Sequence, residues 1–135
     1  MELADDAPND GVRHRVSVIG VVDDDESVRD ALSSLIRSAG YQCRLFPSAE
    51  AFLESDGLAQ TDCMLLDVQM PGLSGIELQA RLRRMNCPVP VIFVTAHADD
   101  STRAKALGGG AKAFLTKPVS DDVLLTTIGS ALNGR

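Results

Sequence analysis

Apolar positions along this chain keep two alternating rhythms. Val16-Ser17-Val18-Ile19-Gly20-Val21-Val22 is a β-branched run of strand length, and it stops abruptly at Asp23-Asp24-Asp25-Glu26. Over the next stretch, up to Ala39, Val28, Ala31, Leu32, Leu35 and Ile36 recur at helical spacing, with Gly40 placed to end the helix. The alternation then repeats. Gln42 to Phe46 reads as a strand, and Pro47-Ser48 opens a helix through about Glu54, with Ser48 as N-cap. Cys63 to Asp67 is a strand, and Ile76, Leu78, Ala80, Leu82 and Met85 fit a helix after the Met70-Pro71-Gly72 turn. Val89 to Thr95 is a buried strand entered through Pro88 and Pro90. Asp99 to Leu107 is a shorter helix, Ala111 to Thr116 a strand, and Asp121 to Leu132 a last helix.

Strands that alternate with helices are joined by right-handed crossovers, which bury a parallel sheet beneath helices on both faces. The pattern therefore predicts an α/β fold, a doubly wound five-stranded parallel sheet. With 135 residues, 44% of them hydrophobic, the chain builds one such domain and has no room for a second. Residues 1–15 are polar and carry Pro8, Asn9 and Gly11, so a flexible tail is expected there and the folded domain over 16–135.

Charge narrows the function classes. Thirteen Lys and Arg against nineteen Asp and Glu give a formal charge of −6, whereas affinity for nucleic acid rests on clustered cations. Arg81, Arg83 and Arg84 are the densest cluster, too few for a groove-binding surface, so no direct nucleic-acid partner is expected. No apolar stretch approaches the roughly 20 residues of a membrane helix, and the first residues lack the apolar centre of a signal peptide. A cytoplasmic location without a membrane partner is expected. Cys43, Cys63 and Cys87 are odd in number and form no CxxC pair, so reduced packing thiols are expected rather than disulfides or a zinc site.

In an open α/β sheet, ligands bind beyond the carboxyl ends of the strands, so the residues that follow each apolar run are the informative ones. The first strand ends in Asp23-Asp24-Asp25, the third in Asp67, the fourth in Thr95 and the fifth in Thr116-Lys117. The second ends in Phe46-Pro47, which offers no chemistry and places that strand at an edge away from the site. Converging carboxylates repel by roughly 4 kcal/mol per pair at about 4 Å and an effective dielectric near 20. They need a cation. A hard divalent ion such as Mg²⁺ takes one or two carboxylates, keeps waters and completes its shell with phosphate oxygens. The Thr95 hydroxyl and the compact Lys117 charge suit phosphoryl oxygens, and a carboxylate can serve as nucleophile. Taken singly, each residue has a plainer use: acids cap helices, Thr95 ends a strand, Lys117 is a solvated charge and Phe114 fills a core. Asp25 is assigned to capping alone. The convergence of the others predicts a phosphoryl site.

Asp23-Asp24, Asp67 followed by Met70-Pro71 and Gly75, Thr95-Ala96, and Phe114-Leu115-Thr116-Lys117-Pro118 occur in this order between Val16 and Leu132. In these motifs the chain resembles the receiver domain of bacterial two-component response regulators. VVDDDESVR and PSAEAFL resemble the receivers that precede helix-turn-helix transcription domains. The resemblance implies a flavodoxin-like sheet of strand order 2-1-3-4-5. It also implies a signalling module phosphorylated by a sensor histidine kinase, not a turnover enzyme: it catalyses only its own phosphorylation and dephosphorylation.

By the same resemblance, Asp67 is the phosphoacceptor. Mg²⁺ or Mn²⁺ is held by Asp24, Asp67 and the Gln69 backbone carbonyl, with Asp23 supporting it through water. Thr95 and Lys117 hold the phosphoryl oxygens beside Ala96, Phe114 takes the switch-aromatic position, and the Lys117-Pro118 bond is expected to be cis. Gln69 and His97 stand where dephosphorylation is tuned. Thr95 drawn toward the phosphoryl group lets Phe114 turn inward, which reshapes the face made by the helix from Asp99, the strand at Ala111 and the last helix. An output partner or domain, and a phosphorylation-dependent homodimer, are expected there. Val119, where the family often has Phe, departs from the pattern outside the acidic set.

Two other readings compete. A small phosphatase of the haloacid-dehalogenase type would use Asp23 as nucleophile, Asp25 as acid/base and Thr95 with Lys117 as phosphate clamps, but it leaves Asp67 without a purpose. An unphosphorylated binding module on the same scaffold does not account for the complete acid, Thr and Lys set. Gly108-Gly109-Gly110 lacks the pattern of a phosphate loop and reads as a helix terminator.

Overall fold

The computed structural model describes residues 16–134; the tail expected over residues 1–15 lies outside the described residues. Five strands, β1 (Val18–Val22), β2 (Gln42–Phe46), β3 (Cys63–Leu66), β4 (Val91–Thr95) and β5 (Ala113–Thr116), form one parallel sheet in the order β2-β1-β3-β4-β5. Around it lie α1 (Glu26–Ser38), α2 (Ala49–Glu54), the single turn α3 (Gly57–Gln60), α4 (Gly75–Arg84), α5 (Asp100–Gly108) and α6 (Asp121–Asn133). This is the doubly wound fold that the alternating pattern predicts. β2 is an edge strand, and the strand order reverses between β1 and β3, which opens a crevice above their carboxyl ends.

Alternation along each strand divides the core in two. Met64 and Leu66 join Val22, Phe46, Phe52, Leu78, Leu82, Phe93 and Phe114 on one face. Cys63 and Leu65 join Ile19, Val21, Ile36, Ile92, Val94, Leu124 and Ile128 on the other. Successive side chains of a strand point to opposite faces, so a sheet covered on both sides needs unbroken apolar runs. α1 and α6 supply Ile36, Leu124 and Ile128 to the second cluster, while α2, α4 and α5 supply Phe52, Leu78 and Ala106 to the first.

Polar caps start the helices. Side chains of Asp25, Ser48, Asp99 and Ser120 accept backbone N–H bonds at the starts of α1, α2, α5 and α6, and Ser74 with Glu77 forms a capping box on α4. The glycine run ends α5 as expected: Gly109 caps it and Gly110 takes φ +101°, which a side chain would strain. Several boundaries differ from the sequence reading. β4 begins at Val91 rather than Val89, because Pro88 and Pro90 have no N–H for the ladder, although the Pro90 carbonyl accepts from Met64 N–H at 2.9 Å. β5 begins at Ala113 rather than Ala111, whose N–H still bonds to Ala106 O of α5 at 3.1 Å. α3 has no counterpart in the sequence reading, since Gly-Leu-Ala-Gln carries one large apolar residue and no period.

Candidate functional site at the carboxyl edge of the sheet

Backbone bonds one step beyond the strands set the functional side chains in place. Asp23 N–H donates to Phe46 O at 3.2 Å, Asp67 N–H to Val22 O at 3.1 Å, and Lys117 N–H to Thr95 O at 2.8 Å. Residues that follow three different strands are thus fixed at one sheet edge. Asp23 and Asp67 are buried and Asp24 is exposed, yet one carboxylate oxygen from each lies within 4.8 Å of the others. Lys117 Nζ donates to Asp23 Oδ2 at 2.9 Å and stands 3.7 Å from Asp67 Oδ2. Asp23 Oδ1 accepts from Asp25 N–H at 2.9 Å, and Asp67 Oδ1 from Val68 N–H at 2.8 Å.

Three carboxylates against one ammonium leave two negative charges at a partly buried point. That surplus, with oxygen donors only, fits a hard divalent cation. An open depression of about 290 Å³ beside it is lined by Asp24, Gln69, Met70 and Pro71, with Gln69 exposed. Partial burial by itself pushes the Lys117 ammonium down, but the hydrogen bond from Lys117 to Asp23 and the charges of Asp67 and Asp23 outweigh it. The net effect holds Lys117 above the ordinary lysine range.

Gly75 explains its place in the motif. A Cβ there would collide with the Asp67 carbonyl, while the Gly75 N–H donates to Val68 O at 2.8 Å. The start of α4 is thereby pressed against the backbone that carries Asp67. Thr95 is fully buried and its hydroxyl oxygen accepts from His97 N–H at 3.1 Å; Ala96 and His97 are exposed at the rim. The Lys117-Pro118 peptide bond is cis. The Phe114 ring is buried, 6.0 Å from the Phe93 ring, with the Arg103 guanidinium carbon 5.0 Å above its centroid.

Asp25 caps α1, with Oδ1 accepting from Ser27 N–H at 2.8 Å and Val28 N–H at 3.2 Å, and it stands outside the three-carboxylate group. The dehalogenase reading, which needs Asp25 as acid/base, is therefore not favoured. Two supports escape the sequence reading. Arg29 donates to the Asp23 carbonyl at 2.8 Å, and Glu50 Oε2 accepts from Leu73 N–H at 2.8 Å, bracing the loop after Asp67. The backbone hydrogen bond from Leu73 holds the Glu50 carboxyl below its usual range. Both side chains sit among the polar positions of their helices, where nothing distinguishes them from solvated charges. No helix among the described residues is long and apolar enough to cross a membrane.

Comparison with known proteins agrees with this geometry. Residues 19–129 match the family model described as the response regulator receiver domain. The response regulator protein TodT of Pseudomonas putida is 42% identical over 125 residues, covering 90% of this chain and 55% of the relative. The transcriptional regulatory protein FixJ of Bradyrhizobium diazoefficiens is 42% identical over 114 residues, 84% of this chain and 56% of the relative. The chain thus spans about half the length of the curated relatives it matches. Among solved structures, the response regulator StyR superposes with a TM-score of 0.81 at 42% identity, covering 88% of this chain and 60% of that one. A structure titled FixJ-N gives a TM-score of 0.80 at 30% identity, covering 90% of this chain and 97% of its own.

Proposed function

The chain belongs to the response regulator receiver domain family, and from that premise we propose that Asp67 accepts a phosphoryl group from the phosphohistidine of a sensor kinase. A carboxylate oxygen of Asp67 attacks phosphorus and the P–N bond breaks. Its electron pair returns to the imidazole nitrogen, which takes a proton from solvent, and an acyl phosphate remains on Asp67. Asp24, Asp67 and the Gln69 carbonyl would hold Mg²⁺ or Mn²⁺, with Asp23 behind them. Such an ion, when bound, offsets charge on the transferring oxygens. Lys117 leans on Asp23 and Asp67 from the side where it can receive a phosphoryl oxygen. The Thr95 hydroxyl, anchored through its oxygen by His97 N–H, keeps its proton to donate. Gln69 and His97, both exposed, would govern the approach of water to the acyl phosphate.

The convergence of Asp23, Asp24, Asp67 and Lys117 carries this reading. Incubation with a small acyl phosphate donor and Mg²⁺ should add the mass of one phosphoryl group. EDTA should block the addition and Asp67→Ala should abolish it; an adduct that persists in Asp67→Ala overturns the assignment.

The output face is made by α5, β5 and α6, where Leu107 of α5 and Val123 of α6 are exposed apolar residues. The relatives' names, among them a transcriptional regulatory protein, support extending the reading to gene regulation through an output domain or partner. Phosphorylation then joins two copies of this face. Sedimentation should give a monomer alone and a heavier species with beryllofluoride and Mg²⁺; a monomer in both overturns the pairing.

A further inference from the structure

Phe114 is a buried ring, 5% exposed, on β5, an edge strand whose neighbouring residues Ala113 and Leu115 are half-buried and whose Thr116 is exposed. Phenylalanine has no hydroxyl to anchor it, so its rotamer rests on packing and on the electrostatics of the ring face. The Phe93 ring supplies the packing at 6.0 Å, tilted by 41°. Arg103 supplies the rest, its guanidinium carbon 5.0 Å from the Phe114 centroid. Among the described residues, no carboxylate or carbonyl accepts a hydrogen bond from that guanidinium, although Arg103 is exposed, Asp99 caps its helix and Asp100 opens it. α5 itself is lightly held, with Ala106 its one buried residue. The cation over Phe114 is therefore also a tie between this helix and β5.

We infer that Arg103 is a positioning residue: its guanidinium lies over Phe114, holds the ring inward and ties α5 to β5, so the packing that a phosphoryl group selects is populated before Asp67 is modified. This rests on the proposed function, in which the inward ring is the phosphoryl-favoured state. Binding and conformation are linked: a contact that favours the competent packing raises affinity for any ligand that prefers it, by at most the same factor. A cation–π contact at an exposed site corresponds to about a two- to five-fold change in such an equilibrium.

The test uses the whole chain and the variants Arg103→Ala, Arg103→Gln and Arg103→Lys. Without any phosphoryl mimic, the Phe114 ring resonances should shift and broaden in the Ala and Gln variants and return part-way in Lys, while Phe46 and Phe52 stay unchanged. With Mg²⁺ and beryllofluoride, Kd should rise up to about five-fold in Ala and Gln and less in Lys, following the fraction of competent protein. Wild-type ring signals and wild-type Kd in Arg103→Ala would overturn the inference, as would Arg103→Gln matching wild type, since no cation then lies over the ring. Failure of the wild-type chain to bind beryllofluoride would refute the phosphoryl reading instead. The ligand-free ring signal would still decide whether Arg103 holds Phe114.

Discussion

Asp24 and Asp25 are adjacent acids of the same type, and the backbone gives them different work. Asp25 turns back to cap α1 with two N–H bonds, while Asp24 presents its carboxylate to Asp23 and Asp67. Asp25→Ala should cost about 1 kcal/mol, the typical loss of an N-cap, and leave phosphorylation of Asp67 intact. Urea unfolding beside a phosphorylation assay checks both parts, and loss of phosphorylation would return the dehalogenase reading to contention. Lys117 sets the pH response of the site. Its folded value lies above the ordinary 10.5, so its ion pair stabilises the fold fully below that value and is lost as pH rises through the raised one. Melting temperatures measured between pH 9 and the alkaline limit should therefore fall more steeply for wild type than for Lys117→Gln, which has no proton to lose. Equal slopes would show that the ammonium does not couple to folding.

At the scale of elements, what the sequence made legible is what local chemistry determines. Apolar runs on a sheet covered on both faces, Ser and Asp before each long helix and glycine after α5 all act within a few residues, so fold class and the polar strand ends could be read, while the full strand order came with the family resemblance. The converging carboxylates were legible because topology brings strand ends together whatever the intervening helices contain. Arg29, Glu50 and Arg103 were not, because each works through a tertiary contact from a helix face that looks solvated in sequence. The cover over Phe114 was not legible for the same reason: a phenylalanine at a strand position states that it is apolar, not which partner covers it. α5 shows the limit of periodicity, as its nine residues bury only Ala106 and end in glycine. Few buried contacts leave a helix cheap to open. Amide exchange across α5 should be faster than across α6, which buries Leu124, Ile128 and Ala131. Equal protection of the two helices would remove α5 as the mobile part of the output face.

For the molecule as a whole, the formal charge of −6 is unevenly costly, because two negative charges in excess are held at one sheet edge where Asp23 and Asp67 are buried. Those carboxylates repel in the folded state and separate when the chain unfolds, so their repulsion opposes folding and a cation that binds only the folded state should offset it. At a free concentration one hundred times Kd, such a ligand stabilises by about 2.7 kcal/mol. For a domain of this size each kcal/mol raises the melting temperature by roughly 3–5 °C. Saturating Mg²⁺ should therefore raise it by about 10 °C, well beyond the effect of NaCl at matched ionic strength, which screens the repulsion without coordinating oxygen. Asp24→Asn separates the two contributions. With one carboxylate neutralised, the metal-free variant should melt at or above the wild-type temperature, and most of its response to Mg²⁺ should vanish. A variant that is less stable without metal, or that keeps the full Mg²⁺ shift, would mean that Asp24 neither adds to the repulsion nor holds the ion.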